Sequence, residues 1–176
     1  MKKLLIVVDM QKDFVDGALG TKEAVSIVDN VVRKIDTFDG DIIVTYDTHP
    51  EDYMETMEGK NLPVPHCIKG SDGWQLDAKV QAALDKKAYK ALEKPTFGST
   101  ELPEYIREAY DPAELEIQLI GLCTDICVVS NALLLKANFP GTPISVDASC
   151  CAGVTPDTHN AALATMKMCQ VQVIGQ

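Results

Sequence analysis

Positive charge is in short supply in this chain of 176 residues: 16 Lys and Arg stand against 26 Asp and Glu, a net charge of −10. A molecule of that sign is repelled by phosphate backbones and anionic headgroups, which argues against nucleic acid or acidic membranes as partners. Long apolar runs are also missing, and none approaches the length that spans a bilayer. The basic start Met1-Lys2-Lys3 mimics a secretory leader. The apolar run behind it, Leu4 to Val8, is short, however, Asp9 ends it, and no small-residue cleavage site follows. A cytoplasmic protein is expected. Internal repeats, low-complexity tracts and linkers are absent, so a single domain over residues 1–176 is expected. Histidine is scarce, with three copies.

What is present is ordinary for a globular protein, with 46% hydrophobic and 24% charged residues. The six cysteines are Cys67, Cys123, Cys127, Cys150, Cys151 and Cys169. Without a leader they read as reduced thiols, with Cys150 and Cys151 as small core residues at a strand end. Strand and helix patterns alternate. Continuous apolar runs predict strands over 4–8, 42–44, 88–92, 115–120, 143–146 and 171–174. Helical spacing predicts helices over 24–35, 78–84, 102–109, 128–137 and 157–168. Six strands with helices between them imply an α/β fold with a parallel sheet covered on both faces. In such sheets the functional crevice lies at the carboxyl ends of the strands. Asp9, Asp47, Lys94, Cys127 and Asp147 all follow strand candidates.

The segment Gly121-Leu122-Cys123-Thr124-Asp125-Ile126-Cys127-Val128 joins a strand to the apolar helix. It puts Cys127 in a first helical turn, with Thr124 or Asp125 as cap. Unpaired N–H groups and the helix dipole there favour a thiolate and an oxyanion. Asp9, desolvated at the end of a buried strand, suits a proton carrier. Lys94 suits a group that holds thiolate and carboxylate together. Each residue also has a plain reading: Cys127 as a core cysteine, Asp9 as a turn cap, Lys94 as a solvated lysine.

Residues 47–74 show no periodicity and hold two of the three histidines. Loops of this length in compact domains are usually functional or disordered, and a functional loop is expected here. Asp47 and His49 are two apart on an extended segment and share a face. With His66 they form a set of one oxygen and two nitrogens that suits Zn2+, Fe2+ or Mn2+. The plain alternative is two loop histidines without a metal. His159, on a helix, is expected to be structural or on the surface.

Five motifs in order extend over nearly the whole chain: Val8-Asp9-Met10-Gln11-Lys12-Asp13-Phe14, Asp47-Thr48-His49-Pro50, Pro65-His66-Cys67 with Gly70, Lys94 with Phe97, and Gly121 to Val128. On these the chain resembles the isochorismatase-like cysteine hydrolases, most closely their nicotinamidase branch. The resemblance implies a three-layer α/β/α fold with a six-stranded parallel sheet and a triad of Asp9, Lys94 and Cys127. It also implies a cis Leu122–Cys123 bond, an oxyanion hole from the N–H groups of Cys123 and Cys127, and a divalent metal, Zn2+ first, on Asp47, His49 and His66. The family often has tryptophan three residues before the second metal histidine, where this chain has Pro63. It often has another histidine after the Asp-x-His-Pro segment, where this chain has Tyr53. Phe14, Phe97 and Trp74 are the replacements expected to contact a substrate ring. The implied activity is hydrolysis of nicotinamide or a similar small carboxamide through a thioester. The alternatives are a metal-independent amidase for carbamoyl or ureido compounds and a non-catalytic metal-binding protein. Isochorismatase activity itself is less expected, because the chain keeps a cysteine in the nucleophile position. The helix over 128–135, apolar nearly all round, is either buried or an interface, and a homo-oligomer is expected.

Overall fold

The computed structural model describes residues 1–176. In chain order the elements are β1 (Lys2–Val8), α1 (Lys12–Val15), α2 (Lys22–Thr37), β2 (Asp41–Asp47), a 3-10 turn (Tyr53–Glu55), α3 (Met57–Asn61), α4 (Ala78–Leu84) and β3 (Lys90–Lys94). There follow α5 (Glu101–Ala109), a second 3-10 turn (Pro112–Glu114), β4 (Leu115–Leu122), a π-helical turn (Thr124–Val128), α6 (Val129–Asn138), β5 (Ile144–Ala152), α7 (Pro156–Met168) and β6 (Gln172–Ile174). The six strands form one sheet in the order β3-β2-β1-β4-β5-β6. Every pairing is parallel.

β1 shows why its sequence is apolar without alternation. Leu4, Ile6 and Val8 enter one core, shared with α5, α6 and α7. Leu5 and Val7 enter the other, shared with α2 and α4. A strand buried on both faces gains from every residue, on the order of 1.5–3 kcal/mol for each large side chain. α2 buries Ala24, Ile27, Val28, Val31 and Ile35 on one stripe, and the Thr21 hydroxyl caps it at the Ala24 N–H. α7 begins at a Thr155/Thr158 capping box with Pro156 in its first turn.

The chain winds outward from β1 through β2 to β3. It then crosses to β4 on the other side of β1. The switch point of the topology therefore lies between the carboxyl ends of β1 and β4, the place where open α/β sheets bind ligands. The two strands approach closely there. Gly121 has φ of 119°, and a Cβ on it would stand 2.1 Å from the Val8 carbonyl oxygen. Only glycine satisfies both conditions.

Three expectations are corrected. β3 runs two residues later than expected, so Lys94 is its last residue and not the second after it. β5 continues to Ala152, with its register against β4 shifting between Leu119 and Gly121. Asp147 is thus inside a strand, ion-paired to Lys34 of α2 at 2.7 Å and accepting from the Ser149 hydroxyl at 2.6 Å. It takes no part in the crevice. α6 starts at Val129, with Val128 ending the π-helical turn before it. Its Ala132 and Leu135 are buried, whereas Val129, Leu133 and Leu134 are half-buried. No helix is long and apolar enough to cross a membrane.

Candidate active site

Asp9 is the first residue beyond β1 and takes a left-handed conformation, φ 48°. Its carboxylate is held from two sides. Thr45 Oγ1 of β2 donates to Oδ1 at 2.6 Å, and Lys94 Nζ lies 2.6 Å from Oδ2. β3 and β1 are not neighbours; β2 separates them, a gap of roughly 10 Å. A lysine stem is long enough to cross it. The Lys94 ammonium also donates to the Thr96 carbonyl at 3.0 Å and to Cys127 Sγ at 3.3 Å, and stands 3.6 Å from Asp47 Oδ1. Asp9, Lys94 and Cys127 are all buried. Three residues far apart in sequence thus meet in one place.

Burial works against the thiolate that the start of the turn favours. Burial pushes the Cys127 thiol well up, and the Asp9 charge adds to it; Lys94 opposes both without overcoming them. A thiol pushed up in this way favours its protonated form. Burial also raises the Asp9 carboxyl, with the Lys94 charge opposing. Lys94 stays cationic: burial works against its charge, but Asp9, Cys127 and Asp47 together raise it further than burial lowers it. Apart from the Lys94 ion pair, Asp9 Oδ2 has no hydrogen bond of proper angle. It has the free lone pair that a proton acceptor for Cys127 needs.

The turn that carries Cys127 starts irregularly, with one carbonyl shared between a short-range and a π-type bond. The Cys123 carbonyl accepts from the N–H of Ile126 at 3.1 Å and of Val128 at 3.0 Å. The Leu122–Cys123 bond before it is cis. Neither Thr124 nor Asp125 caps this turn; Cys123 occupies the cap position and uses no side-chain bond. Thr124 Oγ1 instead pairs with His159 Nδ1 at 2.7 Å, and the Asp125 carboxylate accepts from the Val154 N–H at 3.0 Å. These contacts brace the turn from α7 and from the loop between β5 and α7, which gives His159 a structural part.

The loop after β2 gathers a second polar cluster. The Nε2 atoms of His49 and His66 lie 2.9 and 3.4 Å from Asp47 Oδ2. Both also face Glu58 Oε1, at 3.7 and 3.6 Å. The four ligand atoms lie within 4.8 Å of one another. His66 Nδ1 bonds the Val64 carbonyl at 2.8 Å, which orients the ring and leaves Nε2 for a cation. Two imidazoles and two carboxylates on one point fit a divalent transition metal. Burial would raise the Asp47 carboxyl, yet hydrogen bonds from both histidines and the charge of Lys94 hold it well below the usual range. Glu58 is the residue that sequence reasoning missed. It sits in α3, inside the loop without periodicity, and in an acidic chain another Glu carries no signal. Gln11 braces this cluster from the segment after β1. It is fully buried, donates to the Asp47 carbonyl and accepts from the Asp47 N–H, each at 2.8 Å.

The aromatic residues divide. Phe14 is buried with its ring 5.5 Å from that of His66, edge to face. Tyr53 packs against His49 and His66 at 4.9 and 5.1 Å and spends its hydroxyl on the Leu62 carbonyl. Phe97, on the loop after Lys94, is 43% exposed. Trp74 is not brought to the triad. Its ring lies against Tyr46 at 5.2 Å and its N–H bonds the Thr48 hydroxyl. Tyr46 alternates along β2 with Thr45 and Asp47, so it points to the opposite face.

Comparison with known proteins shows the family and the fold. The family model of the isochorismatase domain matches residues 3–176. An isochorismatase family protein of Bacillus subtilis is 30% identical over 146 residues, covering 76% of this chain and 78% of that one. The nicotinamidase/pyrazinamidase of Mycobacterium tuberculosis is 28% identical over 189 residues, covering 98% of each. The crystal structure of a nicotinamidase/pyrazinamidase from B. subtilis superimposes with a TM-score of 0.86 at 28% identity, covering 99% of this chain and 100% of that one. A pyrazinamidase of Pyrococcus horikoshii, solved in complex with zinc, shares the fold with a TM-score of 0.78 at 24% identity, covering all of both chains. With its whole length matched and a cysteine, a lysine and an aspartate joined at the switch point of its sheet, this chain belongs to the isochorismatase family.

Proposed function

We propose that the protein is a cysteine amidohydrolase that converts nicotinamide, or a small carboxamide of similar shape, to the acid and ammonia. The observation that carries this reading is the buried line of Asp9, Lys94 and Cys127, in contact at 2.6 and 3.3 Å. The names and coverage of the relatives support amide hydrolysis; the pyridine ring is supported by those names alone.

The chemistry follows from the charges. Cys127 Sγ attacks the amide carbon as Asp9 Oδ2 takes its proton, so no free thiolate needs to persist in a site where burial disfavours one. Lys94 keeps its charge throughout and offsets the anion, first on sulfur and then on Asp9. The amide oxygen becomes an oxyanion, which the N–H groups of Cys123 and Cys127 receive. Asp9 returns the proton to nitrogen, the C–N bond breaks, and ammonia leaves a thioester on Cys127. Asp9, ionised again, takes a proton from water as the water attacks the thioester. The acid departs, and the sulfur regains a proton from Asp9.

Asp47, His49, Glu58 and His66 would hold the divalent metal. There it supplies a Lewis acid for a substrate ring nitrogen or for water. Phe97, exposed beside Lys94, and Phe14, packed on His66, are the aromatic residues that would flank a flat ring. The buried four-ligand cluster favours this reading over the metal-independent carbamoyl or ureido amidase, which has no use for it.

Ammonia release from a panel of carboxamides tests the reading. Turnover of nicotinamide, increased by zinc, iron(II) or manganese and abolished by a chelator, is the expected result. Turnover of ureido compounds alone, indifferent to chelation, would replace it with the alternative.

A further inference from the structure

We propose that Asn131 is a positioning residue for this reaction: its buried side-chain amide ties the loop after Lys94 to the turn that carries Cys127, and so sets the distance between Phe97 and the nucleophile. Asn131 is fully buried in the first turn of α6. Its Nδ2 donates to the Cys127 carbonyl at 2.8 Å and to the Phe97 carbonyl at 3.1 Å, and its Oδ1 accepts from the Ser99 N–H at 2.9 Å. Both donors and one acceptor lone pair of the amide are thus used. Reversing the amide would set oxygen against two carbonyls, so the partners fix its orientation.

Local structure gives no reason for an asparagine there. In a helix interior it is less favourable than alanine. What it does is tertiary. The loop from Pro95 to Ser99 is held at three points: Thr96 by the Lys94 ammonium, and Phe97 and Ser99 by Asn131. Ser99 then uses its hydroxyl to accept from the Leu102 N–H at 3.2 Å, passing the constraint on to α5. Phe97 is 43% exposed and has little packing to fix it. The Asn131 bond to its backbone ties the loop that carries this ring to the turn of Cys127.

The inference rests on the amidase reading, and two substitutions separate its parts. In Asn131→Thr the hydroxyl can still reach the carbonyl four residues earlier, that of Cys127, while the bonds to the loop are lost. In Asn131→Ala both are lost. The measurements are KM and kcat for nicotinamide by ammonia release, the pH profile of iodoacetamide reaction at Cys127 by peptide mass spectrometry, and thermal unfolding. Asn131→Thr is expected to raise KM about tenfold, within the worth of the two loop hydrogen bonds it loses, with kcat and the alkylation profile close to wild type. Asn131→Ala is expected to raise KM alike, and also to lower kcat and displace the alkylation profile. Wild-type KM, kcat and profile in a folded but less stable Asn131→Thr would overturn the proposal. If Asn131→Ala does not fold, Asn131→Thr decides alone. If the wild-type protein ignores nicotinamide, the substrate reading fails, and an unchanged alkylation profile in Asn131→Ala would then overturn the positioning role as well.

Discussion

Two polar clusters meet at the carboxyl edge of this sheet, with Lys94 Nζ 3.6 Å from Asp47 Oδ1 at their border. They are built in opposite ways. Asp9, Lys94 and Cys127 come from three separate strand ends, and their charges balance internally: one carboxylate, one ammonium, one neutral thiol. Asp47, His49, Glu58 and His66 come from one strand end and the loop after it, and bring two carboxylates with no fixed cation of their own. The comparison teaches that the first cluster is complete as the chain folds, whereas the second gains most from a bound cation. Burial pushes the Glu58 carboxyl up, and the nearby Asp47 charge adds to it.

The largest break in the comparison should come from Asp9→Asn. It leaves the Lys94 ammonium buried without its partner, which costs about 3–5 kcal/mol, and it removes the proton acceptor. Denaturant unfolding and ammonia release should fall together. In Glu58→Gln the two should separate. Zinc affinity, read by competition with a chromophoric chelator, should drop at least the 10–100-fold that even a partner outside the metal shell commands. Stability without metal should hold or rise. Equal loss of metal-free stability in both variants would erase the distinction.

The pH profile sharpens it further. Asp9 acts as the ionised carboxylate, and burial, against Lys94, holds its carboxyl above 3.8. The acid limb of kcat/KM should therefore lie above the ordinary aspartate range, activity falling as pH drops through the raised value. An acid limb at or below 3.8 would count against Asp9 as the base. Asp147 supplies the control. Burial would raise it, but hydrogen bonds from Lys34 and Ser149 hold it low. Its contribution to stability is present above 3.8 and is lost as pH falls through its depressed value. The smallest effect should be that of Lys34→Met, about 1 kcal/mol of stability with kcat unchanged, since the pair is partly open to water.

How much was legible in the sequence follows the same division. The continuous apolar runs gave the sheet, because a two-faced strand can be read without knowing its neighbours. Asp9, Lys94 and Cys127 were legible from strand ends and motifs, although β3 was placed two residues early. Asp147 satisfied the same positional rule and was misplaced by it, since β5 runs on past the point where its apolar residues stop. Glu58, Thr45 and Asn131 were not legible as site residues. Each acts through tertiary contacts in a segment whose local pattern gives no reason for them. The charge balance at Cys127 was not legible either: a helix start favours a thiolate, while the depth of burial, visible only in the fold, works against one.

The most direct measurement is whether sulfur chemistry and turnover belong to the same residue. Cys169 is exposed and will also react, so the rate of labelling alone is no guide. Iodoacetamide inactivation followed by peptide mapping resolves the cysteines. The account predicts that amidase activity disappears in step with modification of Cys127, whatever the state of Cys169, and that Cys127→Ala is inactive. Full turnover by protein alkylated at Cys127, or by Cys127→Ala, would contradict it.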